Sequence, residues 1–262
     1  MPDISITLIQ TKLIWEEPSA NLRLLEEKIS AMQDRGNIVI LPEMFSTGFS
    51  MQPEKFAETM EGETVSWMKA VSRRYGIILT GSLIIEEGGN YYNRLIWMLP
   101  NGQAGYYDKR HLFAYGHEDQ HYTPGNKRLI ASVNGWEINL QVCYDLRFPV
   151  WARQQSSEEG PEFDLLIYVA NWPERRSHAW KTLLCARAIE NQCYVAGVNR
   201  VGSDGNNVYH SGNSLVIDPL GQVLYHMADE EDCFTIMLSK DKLEETRKTF
   251  PFWRDADEFT IL

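Results

Sequence analysis

Residues 37–50 read NIVILPEMFSTGFS, and the four apolar residues at positions 38–41 indicate how the fold is built. A strand that is apolar on successive residues is usually covered on both faces of its sheet. Comparable runs, rich in Ile, Leu and Val, occur elsewhere in the chain, at residues 4–9, 77–85, 94–99, 136–142, 164–169 and 194–198. We therefore predict strands whose sheets are packed on both faces.

Helical patterns separate some of these runs. Leu22, Leu25, Ile29 and Met32 are spaced three and four residues apart after a Pro18-Ser19 start signal, and Gly36 follows where we expect the helix to stop. Two further helices are predicted at residues 64–75 and 177–191. Helices that alternate with strands early in the chain favour an α/β layer protein.

Two Asn-Gly pairs, at residues 101–102 and 134–135, each separate two strand-like runs. This dipeptide is the strongest short signal for a β-hairpin. Antiparallel pairs are thus expected beside parallel ones, which favours mixed sheets over a simple doubly wound sheet.

Length and composition favour one domain over residues 1–262, with residues 240–262 forming a C-terminal helix and tail. The chain has a net charge of −11, with 36 acidic and 25 basic residues, so we expect no nucleic-acid partner. It contains neither a signal-peptide pattern nor a run of about eighteen apolar residues, which predicts a cytoplasmic protein without a membrane partner.

Glu43 follows the strand of the opening segment directly after Pro42. Proline cannot donate to a sheet ladder, so the strand should end near Leu41 and hold Glu43 just beyond its carboxyl end. Met44 and Phe45 would desolvate the carboxylate and favour its protonated form, which suits a general base. A solvated Glu at the start of a loop is the alternative.

Lys109 ends a strand in the segment GYYDKRHLFAYGHEDQHYTPGN, residues 105–126. An ammonium group in an apolar cleft can stabilise a thiolate or an oxyanion, although a surface lysine would give the same local pattern. His111, His117 and His121 raise the possibility of a metal site, but no H-x-x-x-H helix or cysteine pair accompanies them, so we predict no metal.

Cys143 lies in LQVCYDLRFP, residues 140–149, where a strand runs into a turn. Backbone N–H groups in such a turn can face a developing oxyanion, and a helix start lowers a thiol pKa. A buried structural cysteine is the alternative, and it is the reading we keep for Cys185, Cys193 and Cys233.

Glu43 in LPEMF, Lys109 in YYDKRHLF and Cys143 in VCYDLRFP occur in this order, each just beyond a strand. The chain thereby resembles the carbon–nitrogen hydrolase (nitrilase) superfamily, whose members use a Glu-Lys-Cys triad, and most resembles its ω-amidase-like branch. The resemblance implies a four-layer α-β-β-α sandwich with mixed sheets, commonly assembled as a homodimer, and no cofactor.

The resemblance also implies further site residues. A second glutamate that orients the lysine matches Glu118, ahead of Pro124-Gly125, although Asp119 is its neighbour. Asn171 and Trp172 match a segment that lines the substrate pocket. The family's helix and strand behind the pocket match Arg187, Ala188, Glu190, Asn191 and Tyr194.

The implied activity is hydrolysis of the terminal amide of a small dicarboxylic acid monoamide, of the 2-oxoglutaramate or 2-oxosuccinamate type, through a cysteine thioester. Glu43 would move protons, while Lys109 and the backbone N–H of Tyr144 would hold the oxyanion. Arg175 and Arg176 are candidates to bind the distant carboxylate, because a planar guanidinium suits it. Asp145 and Arg147 are expected to brace the turn.

Three alternatives remain. One is another carbon–nitrogen hydrolase activity, on nitriles or N-carbamoyl compounds. Another is a thiol protease or transferase in which Cys143 pairs with His111 or His117. The last is a non-catalytic binding module of the same fold. The aromatic residues of the tail, Phe250, Phe252 and Trp253, suit either contact with a partner subunit or packing on their own chain.

Overall fold

A computed structural model describes residues 2–157 and 160–261. Its strands, numbered β1 to β15 in chain order, are Ile4–Gln10, Ile38–Ile40, Ile78–Glu87, Asn90–Met98, Ala104–Asp108, Ile130–Val133, Trp136–Val142, Ser156–Ser157, Gly160–Pro161, Leu165–Ala170, Tyr194–Asn199, Val201–Ser203, Tyr209–Ile217, Val223–Ala228 and Asp232–Leu238. The helices α1 to α6 are Pro18–Ala31, Pro53–Phe56, Glu63–Tyr75, Pro149–Ala152, Ser177–Asn191 and Lys240–Thr249.

Two mixed sheets form the centre of the molecule. The first has the order β15-β1-β2-β3-β4-β5, in which β1, β2 and β3 are parallel. The second has the order β12-β13-β11-β10-β7-β6, with β14 paired to β13, and its strands β7, β10 and β11 are parallel. Hairpins supply antiparallel neighbours in both sheets, as the two Asn-Gly pairs predicted.

Alternate side chains of each strand reach two different layers. In β1 and β2, Ile6 and Ile40 belong to the apolar core between the sheets, whereas Ile9 and Val39 belong to the core under α1 and α3. Helix α5 packs on the outer face of the second sheet, against β11 and β13. The predicted four-layer α-β-β-α sandwich is therefore confirmed, because the central strands are covered by helices on one face and by the other sheet on the opposite face.

The sequence patterns were accurate for central elements and weaker at the edges. Helix α1 ends at Ala31, five residues before Gly36, which adopts φ +60° in the turn that leads to β2. No sequence pattern predicted β13, β14 or β15. Strands β14 and β15 are half-buried and mix polar with apolar residues, so they lack the continuous apolar run of a central strand.

The tail packs against its own chain in part. The Gln192 side chain donates to the Phe250 carbonyl and accepts the backbone N–H of Trp253. Phe252 remains 65% exposed. Among the described residues, no helix is both long enough and apolar enough to cross a membrane.

Candidate active site

Four strand ends from the two sheets meet at one edge of the sandwich. Glu43 follows β2, Lys109 follows β5, Cys143 follows β7 and Asn171 follows β10. Parallel strands present their carboxyl ends at the same edge, where open α/β sheets place their ligand sites. The sequence separation of these residues is large, but the strand order brings their side chains together.

Glu43 is fully buried and is held by three donors. Its Oε1 accepts hydrogen bonds from Lys109 Nζ and Asn93 Nδ2, both at 2.9 Å, and its Oε2 accepts the backbone N–H of Asn171 at 2.8 Å. A carboxylate with three donors keeps a fixed orientation, since moving it would leave these donors unpaired in the interior. Glu43 is therefore not the solvated loop residue of the alternative interpretation.

Lys109 is also fully buried and lies between two carboxylates. Its Nζ is 2.9 Å from Glu43 Oε1 and 2.8 Å from Glu118 Oε2. Burial alone would lower the pKa of Lys109, but the charges of Glu118 and Glu43 outweigh it and hold that pKa above its usual value. The lysine is therefore an ammonium ion at neutral pH.

Glu118, rather than Asp119, is the second acidic residue that contacts Lys109. It is buried, and its Oε2 also accepts the Phe113 backbone N–H at 2.6 Å, whereas Asp119 is exposed. Burial raises the pKa of Glu118, and the ion pair with Lys109 opposes that rise.

Gly125 explains the Pro-Gly pair downstream of Glu118. Its N–H donates to the Lys109 carbonyl at 2.9 Å, and a Cβ atom there would lie only 2.1 Å from the Asp108 carbonyl oxygen. Only glycine permits this close approach of two backbones. The pair thus fixes the backbone that carries the lysine.

Cys143 begins a 3-10 turn, Cys143–Arg147, directly after β7. Its φ is +43°, a left-handed conformation that side chains other than glycine seldom adopt. Burial, followed by the charge of Glu43, raises the pKa of the Cys143 thiol, while Lys109 opposes the rise. The thiol is therefore neutral at rest.

Asn93 is a member of this cluster that sequence reasoning missed. Its Nδ2 donates to Glu43 Oε1 at 2.9 Å and to Glu118 Oε1 at 3.1 Å, and its carbonyl accepts the Lys109 N–H at 3.0 Å. Asn93 lies in β4 between Tyr92 and Arg94, among other polar residues, so no local signal distinguished it.

A cavity of about 230 Å³ opens onto Cys143 and Lys109. Aromatic rings form much of its wall, from Phe49, Phe113, Tyr115, Tyr144 and Trp172. Asn171 also lines it, and the Oδ1 of its side chain is buried without a hydrogen-bond partner among the described residues. The cavity thus has aromatic walls beside Cys143 and Lys109.

Three arginines contribute positive charge to this cavity: Arg147, Arg175 and Arg176. Within the described part of the chain, none of them forms an ion pair. Arg176 lies 5.0 Å from the Phe113 ring centroid and Arg147 lies 4.8 Å from that of Trp172. Burial, and then the charge of Arg175, lowers the pKa of Arg176, so an anion bound here would relieve this crowding of like charges.

The two arginines predicted to bind the substrate carboxylate differ in solvent exposure. Arg176 is half-buried, whereas Arg175 is exposed. Arg147 lines the cavity, although the sequence suggested only a bracing role for it. His210 is a further lining residue, and burial followed by the charge of Arg200 lowers its pKa to about 4. The imidazole is therefore neutral at neutral pH.

The histidines of the long loop do not face Cys143 as a protease pair would require. His111 Nδ1 lies 2.8 Å from Asp145 Oδ1, and His117 is exposed beside Gln120. Behind the Cys143–Arg147 turn, Arg187 Nη2 donates to the Leu146 carbonyl at 2.6 Å. The helix that the sequence placed behind the pocket therefore supports the turn that carries Cys143.

Comparison with known proteins agrees with this geometry. Residues 5–248 match the model of the carbon-nitrogen hydrolase family. The chain is 43% identical to an omega-amidase, YafV, of Escherichia coli over the full length of both proteins. It is 31% identical to a 2-oxoglutaramate amidase of Bacillus subtilis, with 96% of each chain covered.

A solved structure is similar over the whole molecule. A carbon-nitrogen hydrolase superfamily protein from Xanthomonas campestris, which carries an arsenic adduct in its active site, superposes with a TM-score of 0.97. It is 44% identical, and both chains are covered completely.

Proposed function

Because the chain belongs to the carbon-nitrogen hydrolase family, in its omega-amidase-like branch, we propose that it hydrolyses the terminal amide of a small dicarboxylic acid monoamide. Substrates of the 2-oxoglutaramate or 2-oxosuccinamate type would yield the dicarboxylate and ammonia. The predicted family, branch and amide-hydrolysing class of enzyme are confirmed by the relatives. The residue roles and the identity of the substrate are the proposal.

In the first half-reaction, Glu43 takes the proton from the Cys143 thiol, and the thiolate forms a bond to the amide carbon. The oxyanion that results is held by Lys109 Nζ and the backbone N–H of Tyr144. Protonated Glu43 then gives its proton to the amide nitrogen, the carbon–nitrogen bond breaks, and ammonia leaves. The acyl group remains on Cys143 as a thioester.

In the second half-reaction, Glu43 takes a proton from water, and the hydroxide that forms attacks the thioester carbon. The same donors hold the second oxyanion. Its collapse breaks the carbon–sulfur bond, and the proton on Glu43 returns to Cys143. Glu118 keeps its ion pair with Lys109 throughout, which supports a role in orienting the ammonium group.

The substrate proposal rests on the three arginines that line the cavity, Arg147, Arg175 and Arg176. A substrate with a carboxylate at the end opposite the amide would place that anion against unpaired guanidinium groups in the same cavity as Cys143. Arg176 and Arg147, both half-buried, are better placed than exposed Arg175 for this contact. Trp172 supports the proposal by packing against Arg147.

The test is a measurement of ammonia or acid release across ω-amides, simple amides, nitriles and N-carbamoyl acids. We expect the highest kcat/KM for an ω-amide that carries a carboxylate, and no turnover by Cys143→Ala. A Cys185→Ala control, which removes a partly buried thiol that does not line the cavity, should keep normal rates. Equal rates on amides with and without the carboxylate would contradict the substrate assignment.

We further propose a single domain over residues 1–262, a cytoplasmic location and a homodimer. One groove on the surface is lined by four exposed apolar side chains, those of Leu220, Leu224, Met237 and Phe250. Exposed apolar side chains grouped in one groove suit contact with a second copy of the chain. Light scattering after gel filtration should give about twice the mass of the chain, and a monomer at micromolar concentration would contradict the dimer.

A further inference from the structure

Asp145 is a buried carboxylate two residues after Cys143, and the reaction described above does not use it. It accepts four hydrogen bonds. Its Oδ2 accepts the Val142 backbone N–H at 3.0 Å and the Tyr107 hydroxyl at 2.8 Å. Its Oδ1 accepts the backbone N–H of His111 at 3.0 Å and lies 2.8 Å from His111 Nδ1.

The two backbone donors belong to the two segments that carry reactive groups. Val142 directly precedes Cys143, and His111 lies two residues after Lys109. Each oxygen of the carboxylate holds one of these segments. We propose that Asp145 is a positioning residue that fixes the Cys143 thiol relative to the Lys109 ammonium group.

The side chains of Tyr107 and His111 do not need a carboxylate as strictly as the backbone N–H groups of Val142 and His111 do. A tyrosine hydroxyl can either donate or accept, and a neutral imidazole can move its proton to the other nitrogen. The N–H groups of Val142 and His111 can only donate, so they need an acceptor at both positions. A carboxylate meets this need, whereas an asparagine of the same size offers one acceptor and one NH₂ group.

The nucleophile turn depends on such an external constraint. Cys143 is held at φ +43°, a conformation that costs free energy for a side chain with a Cβ atom and persists only where surrounding contacts enforce it. Loss of the hydrogen bond from the backbone N–H of either Val142 or His111 would let this turn move relative to Lys109. A displacement of about 1 Å at a reacting group can lower a rate by about 100-fold.

Asp145→Asn tests this inference, which rests on the proposed role of Cys143 as nucleophile. The readout is the second-order rate constant for alkylation of Cys143 by iodoacetamide, measured by mass spectrometry of the labelled peptide, together with kcat and KM. We expect alkylation to slow by about 10-fold or more and kcat to fall by about 100-fold, with KM changed less than threefold. Removal of a negative charge would by itself favour the thiolate and speed alkylation, so the sign separates positioning from electrostatics.

Asp164→Asn is the matched control for loss of a buried aspartate. Asp164 is also buried and pairs with Lys240 and Arg247, and it accepts the backbone N–H of Glu137 at 2.9 Å, away from the cavity. This variant should lower the melting temperature but leave the alkylation rate of Cys143 within about threefold of the parent value. Slowing equal to that of Asp145→Asn would assign the effect to general destabilisation.

The variant His111→Leu keeps the inference testable should Asp145→Asn not fold. It removes one side-chain donor to Asp145 but keeps the hydrogen bonds from the backbone N–H groups of Val142 and His111. Tyr107 is left unchanged, because its hydroxyl also accepts the Arg110 backbone N–H at 3.1 Å and Trp151 Nε1 at 2.9 Å. We expect alkylation within about threefold of the parent rate. A loss as large as 100-fold would overturn the inference, since the His111 side chain rather than the backbone N–H groups would then hold the site.

The outcomes for the two proposals are distinguishable. An unlabelled Cys143 in the parent protein, together with full activity of Cys143→Ala, would refute the proposed function itself. Rapid labelling of the parent with unchanged labelling and kcat in folded Asp145→Asn would refute the role of Asp145 alone.

Discussion

Asn171 binds Glu43 at two points: its backbone N–H donates to Oε2 at 2.8 Å, and its Nδ2 donates to the Glu43 carbonyl at 2.6 Å. Glu43 follows a strand of the first sheet and Asn171 follows a strand of the second. The two hydrogen bonds therefore join the sheets at this edge and fix the orientation of the Glu43 carboxylate, the proposed general base.

Replacement of Lys109 by methionine should destabilise the fold as well as abolish turnover. The ammonium group is the direct ion-pair partner of Glu43 and Glu118, both fully buried. Removing one partner of a buried ion pair costs about 3–5 kcal/mol, since it leaves an uncompensated charge. The free energy of unfolding from urea denaturation measures this loss.

The double variant Lys109→Met/Glu118→Gln is the companion experiment. It removes one of the two buried carboxylate charges together with the ammonium group. We expect it to recover part of the lost free energy of unfolding while remaining inactive. If the double variant were less stable than Lys109→Met, charge pairing would not be the source of the stability.

The Cys143 thiol should make stability depend on alkaline pH. Its pKa in the folded protein is raised well above the ordinary value of 9.0, so its contribution is fully present below pH 9 and is lost as pH rises beyond it. In Cys143→Ala this dependence is absent. The difference in free energy of unfolding between parent and variant should thus be constant from pH 6 to about 8 and then shift in favour of the variant.

Parallel urea titrations of the two proteins between pH 6 and about 10.5 would measure that difference, because the titrations of other groups cancel. A constant difference over the whole range would mean that the thiol ionises equally well in the folded and unfolded chain.

Arg176→Gln should reduce kcat/KM for a carboxylate-bearing ω-amide by about 10- to 100-fold, the loss expected when a hydrogen bond to a charged group is removed. Exposed Arg175→Gln is the matched control and should lose less than about threefold. An uncharged amide such as propionamide should be hydrolysed equally by parent and Arg176→Gln. Equal losses for charged and uncharged amides would show that Arg176 does not contact the carboxylate.

Gly125→Ala should lower kcat strongly, because the new Cβ would lie 2.1 Å from the Asp108 carbonyl oxygen and force the backbone of Lys109 to move. A shift of about 1 Å there should cost about 100-fold in kcat. Gly105→Ala, in strand β5 before Lys109, places its Cβ at an ordinary 3.4 Å from Leu129. Steady-state kinetics should find Gly105→Ala close to the parent protein, and equal losses in both variants would contradict the backbone-contact argument.

The local sequence predicted the layers, many of the strands and the candidate site residues. Helix α5 and strand β7 have the predicted bounds, because continuous apolar runs and helical spacing are properties of neighbouring residues. Each of Glu43, Lys109 and Cys143 follows a strand end, but position alone left a surface lysine and a structural cysteine open, and the order of the three motifs made these residues candidates.

Tertiary structure alone decided which residues support this triad. Asn93 is 50 residues from Glu43 in the chain, and Asp145 is 38 residues from Tyr107, so no local pattern could connect them. Their hydrogen bonds arise from the pairing order of the strands. The same order brought Arg147 into the cavity wall, although its position after Cys143 suggested only a turn. The sequence by itself thus determined what chemistry is available, and strand pairing, which depends on contacts between distant residues, decided where that chemistry is held.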